Sequence, residues 1–130
     1  MCMVSVSCVS EPSNTDAKQD LQTKFYGLWH YPRNDIYYTI SKDTLVAYMP
    51  EDDTGFTARI SKWEHIKNKG NNSEEFPEGF IITAKIEKMK GAWWIGIGET
   101  DTWTWFLNKD QASLVTDTGV KYLFVTEPVI

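Results

Sequence analysis

The chain has 130 residues, one domain's worth, and 42% of them are hydrophobic and 14% aromatic, which supplies a core and argues against global disorder. A formal net charge of -5 argues against the basic face that a nucleic-acid binder carries, and against electrostatic docking on anionic lipid. Both cysteines, Cys2 and Cys8, lie at the extreme N-terminus, so no disulfide staples the body of the domain, and no apolar run reaches the ~18 residues of a membrane span.

The chain opens MCMVSVSC, and a polar stretch containing Pro12 and no usable period follows as far as Asp20. Two readings are open. One is a frayed terminus with an inert thiol. The other is that Val4-Ser5-Val6-Ser7-Cys8 resembles the lipobox of bacterial lipoproteins, where a small residue precedes a cysteine that is lipidated and becomes the new N-terminus. Ser5 stands where that motif usually has leucine. The resemblance implies lipidation at Cys8, a signal remnant and flexible tether over residues 1–20, and an extracytoplasmic place in the cell envelope with the membrane touched only through the lipid.

From Asp20 polarity falls. Asp20 to Lys24 suits one helical turn, and residues 21–130 form the folded domain. Phe25, Gly27, Trp29 and Tyr31 share one face of a first strand, which Pro32-Arg33-Asn34 breaks. Asp35 to Ser41 is a second strand with Ile36, Tyr38 and Ile40 inward. After the Lys42-Asp43 turn, Thr44 to Met49 is a third, with Leu45, Ala47 and Met49 on one face. Pro50 to Gly55 is a loop by composition. Phe56 to Lys67 is a longer strand whose alternation slips near Lys62-Trp63, as at a bulge. Asn68 to Gly79 is the longest polar interval. Phe80, Ile82, Ala84 and Ile86 then alternate strictly with Ile81, Thr83, Lys85 and Glu87.

Four of the six tryptophans fall between Gly91 and Leu107. Trp103, Trp105 and Leu107 alternate with Thr102 and Thr104, and Trp93, Ile95 and Ile97 alternate with Trp94, Gly96 and Gly98. Glu99-Thr100-Asp101 between the two halves predicts a hairpin. Asn108-Lys109-Asp110 is a turn, and Ala112 to Thr116 and Val120 to Thr126 flank the hairpin signal Asp117-Thr118-Gly119. Successive hairpins with short turns predict an all-β fold, a small antiparallel up-and-down β-barrel of eight or nine strands, with a two-sheet sandwich as the alternative.

Phe25-Tyr26-Gly27-Leu28-Trp29 places a G-x-W on the first strand after the tether, followed by a meander over most of the chain. This resembles the lipocalin-like branch of the calycin superfamily, and it is similar to bacterial lipoproteins that carry such a barrel behind a lipidated cysteine. The resemblance implies that Trp29 closes one end of the barrel and that Gly27 lets the chain pass close by. In the larger lipocalins a basic residue on the last strand packs over the tryptophan, and Lys121 is the nearest residue of that type here.

No nucleophile elbow, phosphate-binding loop, calcium loop or zinc motif is present in the sequence. His30 and His65 lack partners at ligand spacing, and no cofactor or metal is expected. Three uses are open. A binding module would hold a small hydrophobic or aromatic ligand among Trp29, Tyr38, Phe80, Trp93, Trp103 and Trp105. An envelope interaction or inhibitor domain with a filled core would meet a partner protein through Tyr26, Leu28, Tyr37, Tyr48, Trp94 and Phe106. An enzyme would need a cleft with convergent carboxylates or a histidine–carboxylate pair. The first two, both non-catalytic, agree best with the sequence.

Overall fold

The computed structural model describes residues 14–125, and Cys8 lies outside them. Helix α1 (Asn14–Thr23) leads into eight strands: β1 (Gly27–Tyr31), β2 (Ile36–Ile40), β3 (Thr44–Met49), β4 (Thr54–Lys67), β5 (Glu78–Lys90), β6 (Thr100–Leu107), β7 (Ser113–Thr116) and β8 (Lys121–Val125). Each strand pairs antiparallel with the next, and β8 returns to β1, so the sheet is a closed up-and-down barrel of eight strands. A closed cylinder of this strand number has room inside for its own side chains or one small ligand.

The period-two pattern decides which side chains face the axis. Trp29, Tyr38, Ile40, Leu45, Ala47, Phe56, Ala58, Phe80, Ile82, Ala84 and Ile86 are all buried, and apart from Gly79 their sequence neighbours are more exposed. The expected slip in β4 is real. The β4–β5 register shifts between Thr57 and Ala58 and again between Ile60 and Lys62. Those bulges let the two longest strands, of 14 and 13 residues, bend around the core.

The ends of the barrel differ. We call upper the end that carries the β1–β2, β3–β4, β5–β6 and β7–β8 connections; α1 lies at the lower end. β3 pairs with β4 only from Thr54 to Arg59, and β6 pairs with β5 only from Glu78 to Lys85. The β4–β5 hairpin therefore overhangs its neighbours at both ends. Below, the overhang meets α1 and Phe25; above, it is flanked by the β5–β6 connection.

Trp29 is wholly buried, and its indole Nε1–H donates to the Phe25 carbonyl at 2.8 Å. Directly across the β1–β8 seam lies Phe124, its ring edge-on to the indole with centroids 5.0 Å apart. Gly27 has φ +139°, and a Cβ there would stand 2.6 Å from the Phe124 ring. The glycine thus makes way for an aromatic ring. Lys121 does not cover the tryptophan: it pairs with Val115 near the upper end and is exposed, so a phenyl ring takes the position that the resemblance gave to a basic residue.

Three expectations are corrected. Gly91 to Gly98 is no strand. The β5 edge opposite β4 is already paired with β6 up to Lys85, and beyond it only Ile86 bonds to the connection, through Glu99 and Gly98. The tryptophan hairpin is therefore one strand, β6, preceded by a looping connection in which Ile95 is buried while Trp94 and Ile97 are exposed. Phe106 does not face outward to solvent; it is buried with Phe76 and Val115 beneath the β4–β5 loop. The single helical turn expected at Asp20 is part of a ten-residue helix that begins at Asn14.

Tyr38 sits in the core, and burial raises its phenol from 10.0 to about 12, opposed in part by the Trp103 indole. The neutral phenol is favoured in the folded state, so its contribution is complete below pH 10 and is lost as pH climbs from 10 toward 12. Two units correspond to about 2.7 kcal/mol. Urea unfolding measured across that range should show a falling stability that Tyr38→Phe flattens by roughly this amount; parallel curves for the two proteins would contradict the assignment.

Candidate binding surface

Five of the six residues nominated as a ligand lining are buried: Trp29, Tyr38, Phe80, Trp103 and Trp105, none more than 8% exposed. Trp93 is half-buried. They do not converge on one pocket. They divide into aromatic groups that pack on one another and on Phe25, Phe56, Trp63 and Tyr122. Tyr38 meets Trp105 at 5.1 Å and Tyr122 at 5.5 Å. Phe80 meets Phe25 at 5.4 Å and Trp63 at 5.4 Å. Phe56 is flanked by Trp93 at 5.1 Å and Trp103 at 5.9 Å. Most of these contacts are edge-to-face, the arrangement the ring quadrupole favours. The nominated side chains thus spend their apolar area on the core.

One indole differs. Trp93 Nε1 is buried and has no hydrogen-bond partner among the described residues. Trp29 Nε1 and Trp63 Nε1 are both satisfied by carbonyls, of Phe25 and Lys42. Trp93 lies just after Gly91, whose φ of +84° turns the chain out of β5, and where a Cβ would strike the Thr54 side chain at 2.2 Å. The backbone turn thus sets the indole against Phe56 at the top of the core.

Above that group three large apolar side chains are exposed. Trp94 is 62% exposed, Ile97 64% and Tyr48 42%. All three belong to the upper end. Polar contacts hold this rim in shape. The Tyr48 hydroxyl donates to Asp53 Oδ1 at 3.2 Å, the Lys90 ammonium pairs with the same carboxylate, and Trp94 Nε1 donates to Asp101 Oδ2 at 3.2 Å. The Lys90 ammonium holds the Asp53 carboxyl below its usual range. Glu99 accepts the Gly96 N–H and so ties the connection to itself. On the adjoining outer wall, Val46, Tyr48, Thr57 and Lys88 edge a cleft of about 330 Å³ around Gly55.

Of the residues expected to lie outward, Tyr48 and Trp94 are exposed. Tyr26, Leu28 and Tyr37 are half-buried, and Tyr37 stacks on His30 at 4.2 Å. Ile97 was missed because alternation placed it inward, a period that fails once the segment is not a strand. Asp53 and Lys90 were missed because a turn acid and a strand-end lysine carry no signal before the turn is built. On β8, Leu123 is also exposed, and Phe124 is partly so on the face it shares with Trp29. Among the described residues no three of His, Cys, Asp and Glu gather as metal ligands. No protein-family model, curated protein or solved structure matches the chain.

Trp29 and Trp93 should respond differently to loss of the indole. Trp29→Phe removes a satisfied donor, frees a carbonyl and leaves space, which should cost about 2–4 kcal/mol. Trp93→Phe removes a donor that bonds nothing, so the relief of about 1 kcal/mol offsets lost packing and stability should change little. Equal losses in urea unfolding would contradict the pairing described for the two indoles.

Proposed function

We propose that the chain is a non-catalytic binding domain held in the cell envelope by lipid on Cys8, and that it meets a partner protein through the upper rim of the barrel. The supporting observation is that the interior aromatics pack on one another while Trp94, Ile97 and Tyr48 stand in solvent at one end. Large apolar side chains grouped on one surface mark interaction sites, and Trp and Tyr supply much of the energy of such interfaces. The Val4–Cys8 segment supports the anchor.

A small-ligand reading has one specific support. The unpartnered Trp93 N–H lies at the top of the core, beside a glycine-turned connection. A flat apolar ligand carrying an acceptor would satisfy that donor by seating against Phe56. On this reading the ligand would sit at the upper end, not along the axis.

The rim is tested by the double variant Trp94→Ala, Ile97→Ala, whose side chains are exposed enough that folding should be unchanged. Cross-linking in the native envelope should give one dominant adduct with the parent chain and lose it with the variant. An adduct pattern identical for both proteins would overturn the rim as the partner site. Mass spectrometry of the mature N-terminus should show acylated Cys8, absent in Cys8→Ser; a free thiol there would remove the anchor.

A further inference from the structure

At the opposite end of the barrel a second cleft, of about 350 Å³, lies between α1 and the lower half of β4. That volume falls within the usual range of small-molecule sites, about 300–1,000 Å³. Its floor is aromatic. Trp63 is half-buried, its Nε1 donates to the Lys42 carbonyl at 2.9 Å, and Tyr26, Phe25 and Phe80 all stand roughly edge-on to it. The indole is therefore fixed in orientation before anything binds.

The walls are polar. Gln19 and Gln22 come from α1. Gln22 Nε2 donates to the Tyr26 hydroxyl at 2.8 Å, which fixes the amide and leaves its carbonyl oxygen available. On β4, His65 Nε2 lies 2.9 Å from Glu78 Oε1, and its ring is edge-on to Phe80. With Nε2 engaged by the carboxylate, Nδ1 is the ring nitrogen left for a ligand. Lys62 and Glu64, the two permanent charges of the lining, pair with each other at 3.4 Å.

These features select a ligand class. A phosphate or other anion would need uncompensated positive charge, and Glu64 beside Lys62, with Glu78 beside His65, leaves none. A wholly apolar ligand would strip water from the glutamine and histidine groups without replacing it, a cost of about 1–3 kcal/mol for each group left unpaired. A compact ligand that is apolar on one face and hydroxylated around its edge meets both demands. Its C–H face lies on the indole, and its hydroxyls act as donor and acceptor at once toward the amides and the imidazole. We propose that this lower cleft is a binding site for a neutral sugar, separate from the rim.

The test is a titration of the ¹⁵N-labelled full chain with glucose, galactose and N-acetylglucosamine at millimolar concentration. At least one should shift the Trp63 indole N–H and the Gln19 and Gln22 side-chain amides saturably. Trp63→Ala should abolish the shifts. Because Trp63 also packs on Phe25, the double variant Gln19→Ala, Gln22→Ala provides a second reading and should weaken binding at least about tenfold. Trp94→Ala should leave the sugar response unchanged. The site is overturned if none of the three sugars moves these resonances, if the shifts survive both cleft variants, or if Trp94→Ala removes them.

Discussion

Trp29 stands at the seam where the sheet meets itself, and the remaining architecture depends on that join. β1 and β8 share only three residue pairs, Leu28 with Val125, Trp29 with Phe124, and His30 with Leu123. So short a ladder needs side-chain support. The indole supplies it by bonding back to Phe25 and by packing on the ring across the seam, and Gly27 makes the space. Without this join β1 and β8 would be open edges, with unpaired backbone groups facing solvent. With it, every strand has two neighbours.

Closure has a second effect, on where function can reside. The inward stripe of this chain is unusually bulky: phenyl, phenol and indole rings recur on β1, β2, β4, β5, β6 and β8. Most meet edge-to-face, and their packing consumes the area that a ligand lining would need. What remains for recognition is the exterior and the two ends. The ends are chemically distinct, one apolar with a carboxylate–ammonium brace, the other a mixed aromatic and amide cleft. The difference comes from β4 and β5 outrunning their neighbours.

Much of the barrel was legible in the residues because alternation reports burial directly. Tyr38, Ile40, Leu45, Ala47, Phe80, Ile82, Ala84 and Ile86 all point where a period of two says, and even the β4 bulge announced itself as a phase slip. Alternation alone could not say whether a segment has a partner to pair with. Gly91 to Gly98 has a strand's pattern, but positive φ at Gly91 and Gly98 turns the chain away from β5, and so it loops. Phe106 alternates outward correctly, but a loop from far along the chain covers it. The candidate surfaces were less legible for the same reason. Trp63, His65 and Gln22 lie together only because α1 runs beneath a hairpin that is long on one side, a fact of register that no local window contains.

The overhanging lower half of β4 has one more consequence. From Lys62 to Lys67 it pairs with β5 on one side and with no strand on the other. Such a row of free amides and carbonyls invites a stray chain to dock and extend the sheet. Lys62, Glu64 and Lys67 project from that stretch, and burying their charges against an incoming strand would be costly. The residues that shape the lower end thus also make this edge a poor template for another strand.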